Sequence, residues 1–224
     1  MNAHPRVPTF NEKLSQVLQT VTYRVARTPA ERDAIFALRY RGYLLDGGIG
    51  PDESQRFSDP WDDVDNALLL GMYMGERLVS TVRFHVNRPR GAQIPAMTTF
   101  GDVLEPYLEA GRIIMDPTRF VIDTELARTG PEIPYLTLRM IAMAAEHFAA
   151  DVILATIRAE HLVVYRRVVG SKPISEPRTY PLLARPIICT AVTIADMRAS
   201  AYMRHPFLDS TAEERLRIFG PRPV

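Results

Sequence analysis

Residues 118–156 carry the pattern that decides the fold, and they read TRFVIDTELARTGPEIPYLTLRMIAMAAEHFAADVILAT. Residues 119–123 predict a strand, and the apolar residues between positions 135 and 149 recur at a spacing that predicts a long helix. Residues 151–156 form a short apolar run, which predicts a buried strand. A strand, a helix and a second strand in this order indicate a mixed α/β protein.

Weaker signals on both sides extend this pattern. Strands are predicted at residues 22–26, 66–74, 78–86 and 187–193, and the second and third are joined by a hairpin turn at Gly75-Glu76. Thr28 and Glu31 form a capping box that opens a helix, and Gly170 ends another helix over residues 161–169. The segment between residues 87 and 118 contains Pro89, Pro95 and Pro106, and we predict a loop there.

We divide the chain into three parts. Residues 1–20 are predicted to form an N-terminal arm, in which Leu14, Val17, Leu18 and Val21 mark a short amphipathic helix. Residues 21–193 form the main domain. Residues 194–224 form a C-terminal tail that is helical over residues 195–219, has a second capping box at residues 210–213, and packs on the domain.

The composition excludes several classes of protein. The 224 residues include 27 Lys+Arg against 26 Asp+Glu, and this formal net charge of +1 argues against a nucleic-acid-binding protein. The single cysteine, Cys189, lies in an apolar run and excludes an internal disulfide framework. No window of the sequence approaches the ~20 apolar residues of a membrane span. We therefore expect a cytoplasmic protein without a transmembrane segment.

Motifs for several common catalytic sites are missing. The sequence has no Walker-type phosphate loop, no G-x-G-x-x-G after a strand, no G-x-S-x-G elbow and no H-E-x-x-H. The five histidines are scattered, without a pair at i and i+4, and we expect no metal site.

Charged residues instead occur next to, or inside, the predicted strands. Asp62, Asp63 and Asp65 precede the second strand, Arg83 interrupts the apolar run of the third, and Arg119 begins the next strand shortly after Asp116. One interpretation is a network of ion pairs at strand ends. The other is a cleft in which arginines bind an anion and a carboxylate lies near them.

An ordered series of short motifs resembles a known family. The series consists of Arg39 to Tyr43 (RYRGY), Asp62-x-x-Asp65, Ser80 to Arg83 (STVR), Phe100, and Thr118 to Asp123 (TRFVID). It resembles the acyl-homoserine lactone autoinducer synthases and, more closely, the N-acyl amino acid synthases of the FeeM type, both related to the GNAT N-acyltransferases. The resemblance spans residues 23–193, and the segment from His161 to Gly170 is similar to the FeeM-like segment at the fourth GNAT helix.

Two departures favour the FeeM type. Autoinducer synthases have glutamate where this chain has Asp116, and they have a tryptophan beyond the first helix that helps to hold S-adenosylmethionine. The only tryptophan here is Trp61. The resemblance thus implies an amino-acid acceptor rather than S-adenosylmethionine.

The resemblance also implies the architecture and the acyl donor. We expect a GNAT-like α/β (α+β) fold, with a mixed, mostly antiparallel twisted sheet flanked by helices in a three-layer sandwich. Its fourth and fifth strands are expected to splay apart and admit acyl-phosphopantetheine, presented by an acyl carrier protein. This donor is a co-substrate, and no bound cofactor is expected.

Roles follow for individual residues as expectations. Asp116 is the predicted general base, with Glu125 as the alternative, and Tyr165 is the predicted acid for the leaving thiolate. Arg119 and Arg83 organise the acceptor pocket and bind the amino-acid carboxylate. The remaining expected substrate-binding residues are Arg39, Tyr43, Asp62, Asp65 and Phe100, and the expected carrier-docking residues are Arg166, Arg167 and Lys172.

Three functions remain open at this point. The first is an N-acyl amino acid synthase that uses long-chain acyl-acyl carrier protein. The second is an acyl-homoserine lactone synthase that uses S-adenosylmethionine. The third is a non-catalytic protein that binds acylated carrier in a GNAT-like cleft. The sequence specifies neither the amino acid, nor the acyl chain length, nor the oligomeric state.

Overall fold

The computed structural model describes residues 6–180 and 183–221, and their core is one seven-stranded sheet. The strands are β1 (Val21–Val25), β2 (Ala67–Met74), β3 (Arg77–Val86), β4 (Ile114–Ile122), β5 (Val152–Ile157), β6 (Lys172–Pro173) and β7 (Ile188–Thr193). Their spatial order is β1-β2-β3-β4-β5-β7-β6, and every neighbouring pair is antiparallel except β4 and β5. The predicted mixed, mostly antiparallel sheet is confirmed.

Helices cover both faces of this sheet. They are α1 (Phe10–Leu18), α2 (Pro29–Leu45), α3 (Met97–Glu109), α4 (Leu126–Thr129), α5 (Ile133–His147), α6 (Leu162–Val169), α7 (Ile194–Asp196), α8 (Tyr202–Arg204) and α9 (Ala212–Phe219). One core cluster joins α1, α5, α6 and α9 to the first face of the sheet, whereas α3 packs on the opposite face over β4, β5 and β7. The result is the expected three-layer sandwich.

Helix α2 lies on the same face as α3 and approaches β4 closely. A Cβ atom on Gly42 of α2 would come within 2.6 Å of the Val121 side chain on β4. Glycine at position 42 therefore permits this approach, which brings the functional residues of α2 near the middle of the sheet.

Parallel pairing between β4 and β5 is restricted to two residue pairs. Ile114 pairs with Val152, and Met115 pairs with Ile153. Beyond them Pro117 has no N–H to donate, and Arg119 adopts a left-handed backbone conformation, with φ 55°, at an irregularity in the β3–β4 ladder. The remaining residues of β4 and β5 do not pair with each other, so the sheet is split at this point.

Several boundaries differ from the sequence predictions. β4 begins at Ile114 rather than at Arg119, so Asp116 lies inside the strand. Part of the predicted loop forms α3, because Phe100 and Leu104 bury one face of a helix that continues through Pro106. Within the described part of the tail the helix is not continuous: α7, α8 and α9 are separated by a π turn and a 3-10 turn. The last capping residue is Thr211, which binds the backbone N–H of Glu214, one residue beyond the predicted box.

The described parts of both extensions pack on the main domain. Leu14 of α1 is fully buried in the same cluster as α5, and the Thr9–Glu12 capping box opens that helix. Arg139 of α5 holds the C-terminal tail, donating hydrogen bonds to the carbonyl of Phe207 at 2.7 Å and to both oxygens of Glu214 at 2.7 and 2.8 Å. Across the described residues no helix is long and apolar enough to cross a membrane.

We expect Arg139→Leu to lower the free energy of unfolding by about 3 kcal/mol. The substitution removes one partner of a largely buried ion pair and leaves the Glu214 carboxylate and the Phe207 carbonyl unpaired. Urea denaturation measures the change. The control is Arg217→Leu in α9, where an exposed pair with Glu213 at 3.0 Å is lost, and a change below about 0.5 kcal/mol is expected. Equal losses in the two variants would contradict the role of Arg139.

Candidate active site

Five charged side chains form a buried cluster on the α2 face of the sheet. Arg39 donates to Asp62 Oδ1 at 2.7 Å, and Arg83 lies 2.6 Å from Asp59 Oδ1 and 3.0 Å from Asp62 Oδ1. Arg119 donates from Nε to Asp59 Oδ2 at 3.0 Å and from Nη2 to the same oxygen. Asp59 thus joins the arginines of β3 and β4, and Asp62 joins those of α2 and β3.

The local sequence Asp59-Pro60-Trp61-Asp62 places both carboxylates in the cluster. Asp59 caps a 3-10 turn over Pro60–Asp62, because its carboxylate accepts a hydrogen bond from the N–H of Trp61 at 2.9 Å. The carboxylate of Asp62 in turn accepts a hydrogen bond from the N–H of Asp59 at 2.9 Å. These reciprocal bonds hold the two side chains on one side of the turn. A one-turn helix with a capping box at its N-terminus is therefore the scaffold of the acidic half of the cluster.

The predicted Asp62-x-x-Asp65 motif is displaced by three residues. Asp62 does pair with Arg39, but Asp65 lies exposed in the turn before β2 and forms no ion pair within the described chain. The second cluster carboxylate is Asp59, which the sequence analysis missed. Aspartate followed by proline is a signal for a capped turn, and it could have identified Asp59.

Arg119 enters the cluster because of its unusual backbone. The residue lies at the irregularity where the β3–β4 register shifts between Thr81 and Arg83, and it has φ 55°. Its guanidinium lies 4.5 Å from the ring centroid of Phe57 and 5.4 Å from that of Tyr43. Arg119 is only 7% exposed and lies within β4, so it is not the strand-end residue that the sequence indicated.

The charges of the cluster do not cancel. Burial alone would raise the pKa of Asp59, but hydrogen bonding to Arg83 and the charge of Arg119 lower it to about 2. Burial lowers the pKa of Arg39 to about 10 against the opposing effect of Asp62, so Arg39 remains protonated at neutral pH. Three cations face two carboxylates, and the excess positive charge suits an anionic ligand.

Asp116 lies beside the point where the sheet splits. It follows directly after Met115, the last β4 residue that pairs with β5, and it is completely buried. Its Oδ2 accepts the backbone N–H of Ala96 at 2.7 Å, while Oδ1 has no hydrogen-bond partner among the described residues. Burial raises the pKa of Asp116 to about 7, and the bond from Ala96 and the charge of Arg83 oppose this effect only in part.

An apolar pocket lies on the other face of the sheet, next to the unpaired part of β5. Its lining consists of Leu138, Ile141, Ile153, Leu154, Ala155, Tyr165, Val169, Ser171, Val192 and Met197. Tyr165 of α6 is the main polar side chain there. Burial, followed by the influence of Tyr43, raises its pKa, which keeps the phenol protonated at neutral pH. Tyr43, which influences the pKa of Tyr165, also lies beside Arg119.

Other predicted site residues lie outside this arrangement. Glu125 is exposed before α4, where its carboxylate pairs with Arg77 at 2.9 Å. The structure does not bring it to the buried cluster. Phe100 is fully buried in the hydrophobic core under α3, with the Arg178 guanidinium 5.4 Å from its ring centroid. Phe100 therefore supports the wall of the site rather than lining an open surface.

The three residues expected to contact a carrier protein are exposed. Arg166 and Arg167 lie in the last turn of α6, and Lys172 lies on the edge strand β6. None of them forms an ion pair with another residue of the described chain. Lys172 also lines a small cleft together with Tyr107, Gly170 and Asp196.

The sequence profile of a family described as N-acyl amino acid synthase FeeM matches residues 34–193. The chain is similar in structure to FeeM, an N-acyl amino acid synthase from uncultured soil microbes, with TM-score 0.69 and 21% identity over 84% of this chain and 98% of that one. No curated protein sequence matches.

Two further structures share the fold at lower identity. The AHL synthase LasI has TM-score 0.58 and 10% identity, over 91% of this chain and 96% of that one. An acyl-CoA N-acyltransferase from Pseudomonas aeruginosa has TM-score 0.52 and 17% identity, over 76% of this chain and 97% of that one. The architecture is therefore that of GNAT-like acyltransferases.

We expect Asp116→Asn to stabilise the protein at pH 8 but not at pH 4. With a folded pKa of about 7 against an ordinary 3.8, the folded chain keeps a proton that the unfolded chain loses, so stability falls as pH rises through this window. The full loss of folding free energy from ionising Asp116, reached above pH 7, is at most about 4 kcal/mol.

Urea denaturation at both pH values measures this gain. Asp65→Asn is the matched control, because it removes an exposed carboxylate and should leave stability nearly unchanged at either pH. A difference between Asp116→Asn and wild type that is the same at pH 4 and pH 8 would show that the pKa of Asp116 is not raised in the folded protein.

Proposed function

Because the chain belongs to the FeeM family of N-acyl amino acid synthases and is an N-acyltransferase, we propose that it transfers a long-chain fatty acyl group from acyl-acyl carrier protein to the amine of an amino acid. One observation carries this proposal. The split between β4 and β5 has a buried, positively charged cluster on one face and an apolar pocket with Tyr165 on the other. An amino acid and an acyl chain require these two environments.

The split suits a phosphopantetheine thioester. β4 is hydrogen-bonded to β3, and β5 to β7, so the backbone groups that face the split are free for the amides of the pantetheine arm. The acyl chain would then enter at the apolar pocket beside Ile153 and Leu154, whose volume of about 20 Å³ requires its walls to move apart for a long chain. We infer that the thioester carbonyl lies between Asp116 and Tyr165.

The reaction needs an unprotonated amine, because an ammonium group has no lone pair for attack. Asp116, with its pKa near neutrality, takes one proton from the ammonium group and releases it to solvent. The amine nitrogen attacks the thioester carbon, the C–N bond forms and the C–S bond breaks. Tyr165 donates a proton to the leaving thiolate and regains one from the nitrogen, which keeps its third proton as the amide N–H.

The acceptor carboxylate is assigned to the arginine cluster. Arg119 uses Nε and Nη2 on Asp59 and also hydrogen-bonds Tyr43, so an incoming carboxylate would share the guanidinium with these two residues. Arg83 is engaged by Asp59, Asp62 and Thr118, so its role is to hold the cluster in place. The excess positive charge of the cluster favours a free amino acid over a cationic acceptor such as S-adenosylmethionine.

We expect a bacterial host that expresses the protein to accumulate N-acyl amino acids, measured by mass spectrometry of organic extracts against the same host without the gene. The expectation follows from the cationic pocket beside a neutral-pKa carboxyl. Acyl-homoserine lactones alone would assign the chain to the alternative reaction. Tight binding of acylated carrier with no thiol release over hours would indicate a binding protein without catalysis.

The donor assignment depends on the start of α5. In GNAT enzymes that use coenzyme A, backbone N–H groups at this helix N-terminus bind the pyrophosphate. Here Glu132 occupies the N-cap position, and its carboxylate repels phosphate. Pro131 and Pro134 flank it and have no N–H groups to donate. Both features disfavour coenzyme A.

A carrier protein does not require a pyrophosphate-binding site. It presents one phosphate and an acidic helix, and Arg166, Arg167 and Lys172 offer unpaired positive charges on an exposed surface. Val163 and Val164 on the same helix are also exposed and supply an apolar contact. We therefore assign carrier docking to the outer face of α6 and the adjoining edge of β6.

We expect kcat/KM for acyl-acyl carrier protein to exceed that for the matching acyl-coenzyme A by at least ~10-fold, or ~1.4 kcal/mol. The double variant Arg166→Glu/Arg167→Glu should lose most of this preference while its rate with acyl-coenzyme A stays unchanged. Added salt should weaken the preference in the wild-type protein, because it screens exposed charges.

The matched control is Arg88→Glu/Arg90→Glu, which makes the same change in net charge on the exposed turn after β3. It should keep the wild-type preference. Equal efficiency with both donors would refute the donor assignment. A docking variant that behaves like the control would refute the docking surface alone.

A further inference from the structure

Two fully buried side chains, His85 on β3 and Asp116 on β4, each have one polar atom without a hydrogen-bond partner in the described part of the chain. The two residues lie directly opposite each other in the antiparallel register of β3 and β4. Opposed residues of an antiparallel pair project from the same face, with Cβ atoms about 5 Å apart. The side chains that carry Nδ1 of His85 and Oδ1 of Asp116 therefore lie in one buried layer.

The contact of His85 with Trp61 determines its tautomer. Nε2 lies 2.9 Å from the carbonyl oxygen of Trp61, and a carbonyl only accepts, so Nε2 carries the proton. Burial, aided by the charge of Arg83, lowers the pKa of His85 to about 4, so the ring is neutral at neutral pH. A neutral ring with its proton on Nε2 has a lone pair on Nδ1, which is a buried acceptor that needs a donor.

The protonated carboxyl of Asp116 is a buried donor that needs an acceptor. Oδ2 already accepts the N–H of Ala96, so the acid proton belongs on Oδ1, where it needs an acceptor. A hydrogen bond from Oδ1 to Nδ1 uses the atoms that the contacts with Ala96 and Trp61 leave free. A buried donor and a buried acceptor that satisfy each other remove two desolvation costs at once.

We propose that His85 is a positioning residue for Asp116, and that its Nδ1 accepts a hydrogen bond from the protonated Asp116 carboxyl. This inference rests on the proposed function, in which Asp116 receives the proton of the acceptor amine. The bond stabilises the protonated form and makes Asp116 a stronger base. His85 also helps to orient the ionised carboxylate, because Ala96 binds Oδ2 and the His85 ring restricts the positions that Oδ1 can take.

Other charged or titratable groups near the pair come from several elements. Asp116 faces Arg83 from β3, Tyr180 from the segment before β7, and Cys189 from β7. His85 faces Arg83 together with Asp59 and Asp62 of the 3-10 turn. Arg83 favours ionised Asp116, whereas His85 favours the protonated form. The two neighbours on β3 therefore act in opposite directions on the same carboxyl.

The first test uses the wild-type protein and NMR. In ¹⁵N-labelled protein the His85 ring should be neutral and protonated on Nε2, and its Nδ1 resonance should shift with the same midpoint as the ¹³C-labelled carboxyl of Asp116. A ring protonated on Nδ1, or an Nδ1 resonance that ignores the titration of Asp116, would overturn the proposal without any substitution.

Two substitutions separate the functions of the two ring nitrogens. His85→Gln places an amide N–H near Nε2, keeps a donor for Trp61, and removes the acceptor at Nδ1. His85→Asn places an amide oxygen near Nδ1 and loses the bond to Trp61. We expect the carboxyl midpoint of Asp116 to fall by about one pH unit in His85→Gln and to stay near the wild-type value in His85→Asn.

Kinetics then distinguish this proposal from the proposed function. The acidic limb of the kcat/KM profile should move to lower pH in His85→Gln, with a lower plateau, and should remain in place in His85→Asn. An unchanged NMR midpoint in folded His85→Gln would refute the contact with His85. If the NMR midpoint moves and the kinetic limb does not, the contact stands and Asp116 is not the base.

Discussion

The shared carboxylate of Asp59 is the contact on which the site depends. It lies between Arg83 and Arg119, which project from neighbouring strands and would repel each other in a buried environment without it. The same carboxylate caps the turn that carries Asp62, so one residue ties the loop after α2 to the centre of the sheet. Arg119 donates to Asp59 from the irregularity in β4 where its backbone is left-handed, and β4 does not pair with β5 at this position. The ion pair between Asp59 and Arg119 and the irregular geometry of β4 therefore occur together at one position of the sheet.

The split in the sheet is stable because each side is supported elsewhere. β4 is paired along nearly its whole length with β3, and β5 is paired with β7, so opening between them leaves no core strand isolated. The two faces of the opening differ in chemistry. Charged side chains from α2, β3 and β4 occupy one face, and the apolar side chains of α5, α6 and β5 occupy the other. This separation places a polar acceptor and an apolar acyl chain on opposite sides of the thioester.

Local signals in the sequence predicted local structure well. The Thr28–Glu31 capping box, the turn at Gly75 and the helix end at Gly170 are confirmed, because each is decided by hydrogen bonds or backbone angles within a few residues. Three predictions were wrong at places where contacts between residues distant in the sequence decide the local structure. The acidic pair is Asp59 and Asp62 rather than Asp62 and Asp65, β4 begins before Asp116, and Pro106 lies inside a helix. In the last case, burial of Phe100 and Leu104 against the sheet outweighs the local preference of proline for loops.

By itself the sequence determined the mixed α/β class, the family resemblance, and the presence of Arg39, Arg83, Asp116 and Arg119 in one candidate site. Arg83 was visible because a charge in an apolar run requires a partner, Asp116 and Arg119 because they lie at a predicted strand start, and Arg39 because it belongs to the motif series. Only the tertiary structure decided which partners they have. Asp59 meets Arg119 across 60 positions of sequence, and His85 faces Asp116 through strand register. The pKa of Asp116 near neutrality likewise depends on burial by α3, β7 and the segment before β7, none of which adjoins it in the chain. Burial and register are long-range properties, and they decide how a carboxyl behaves.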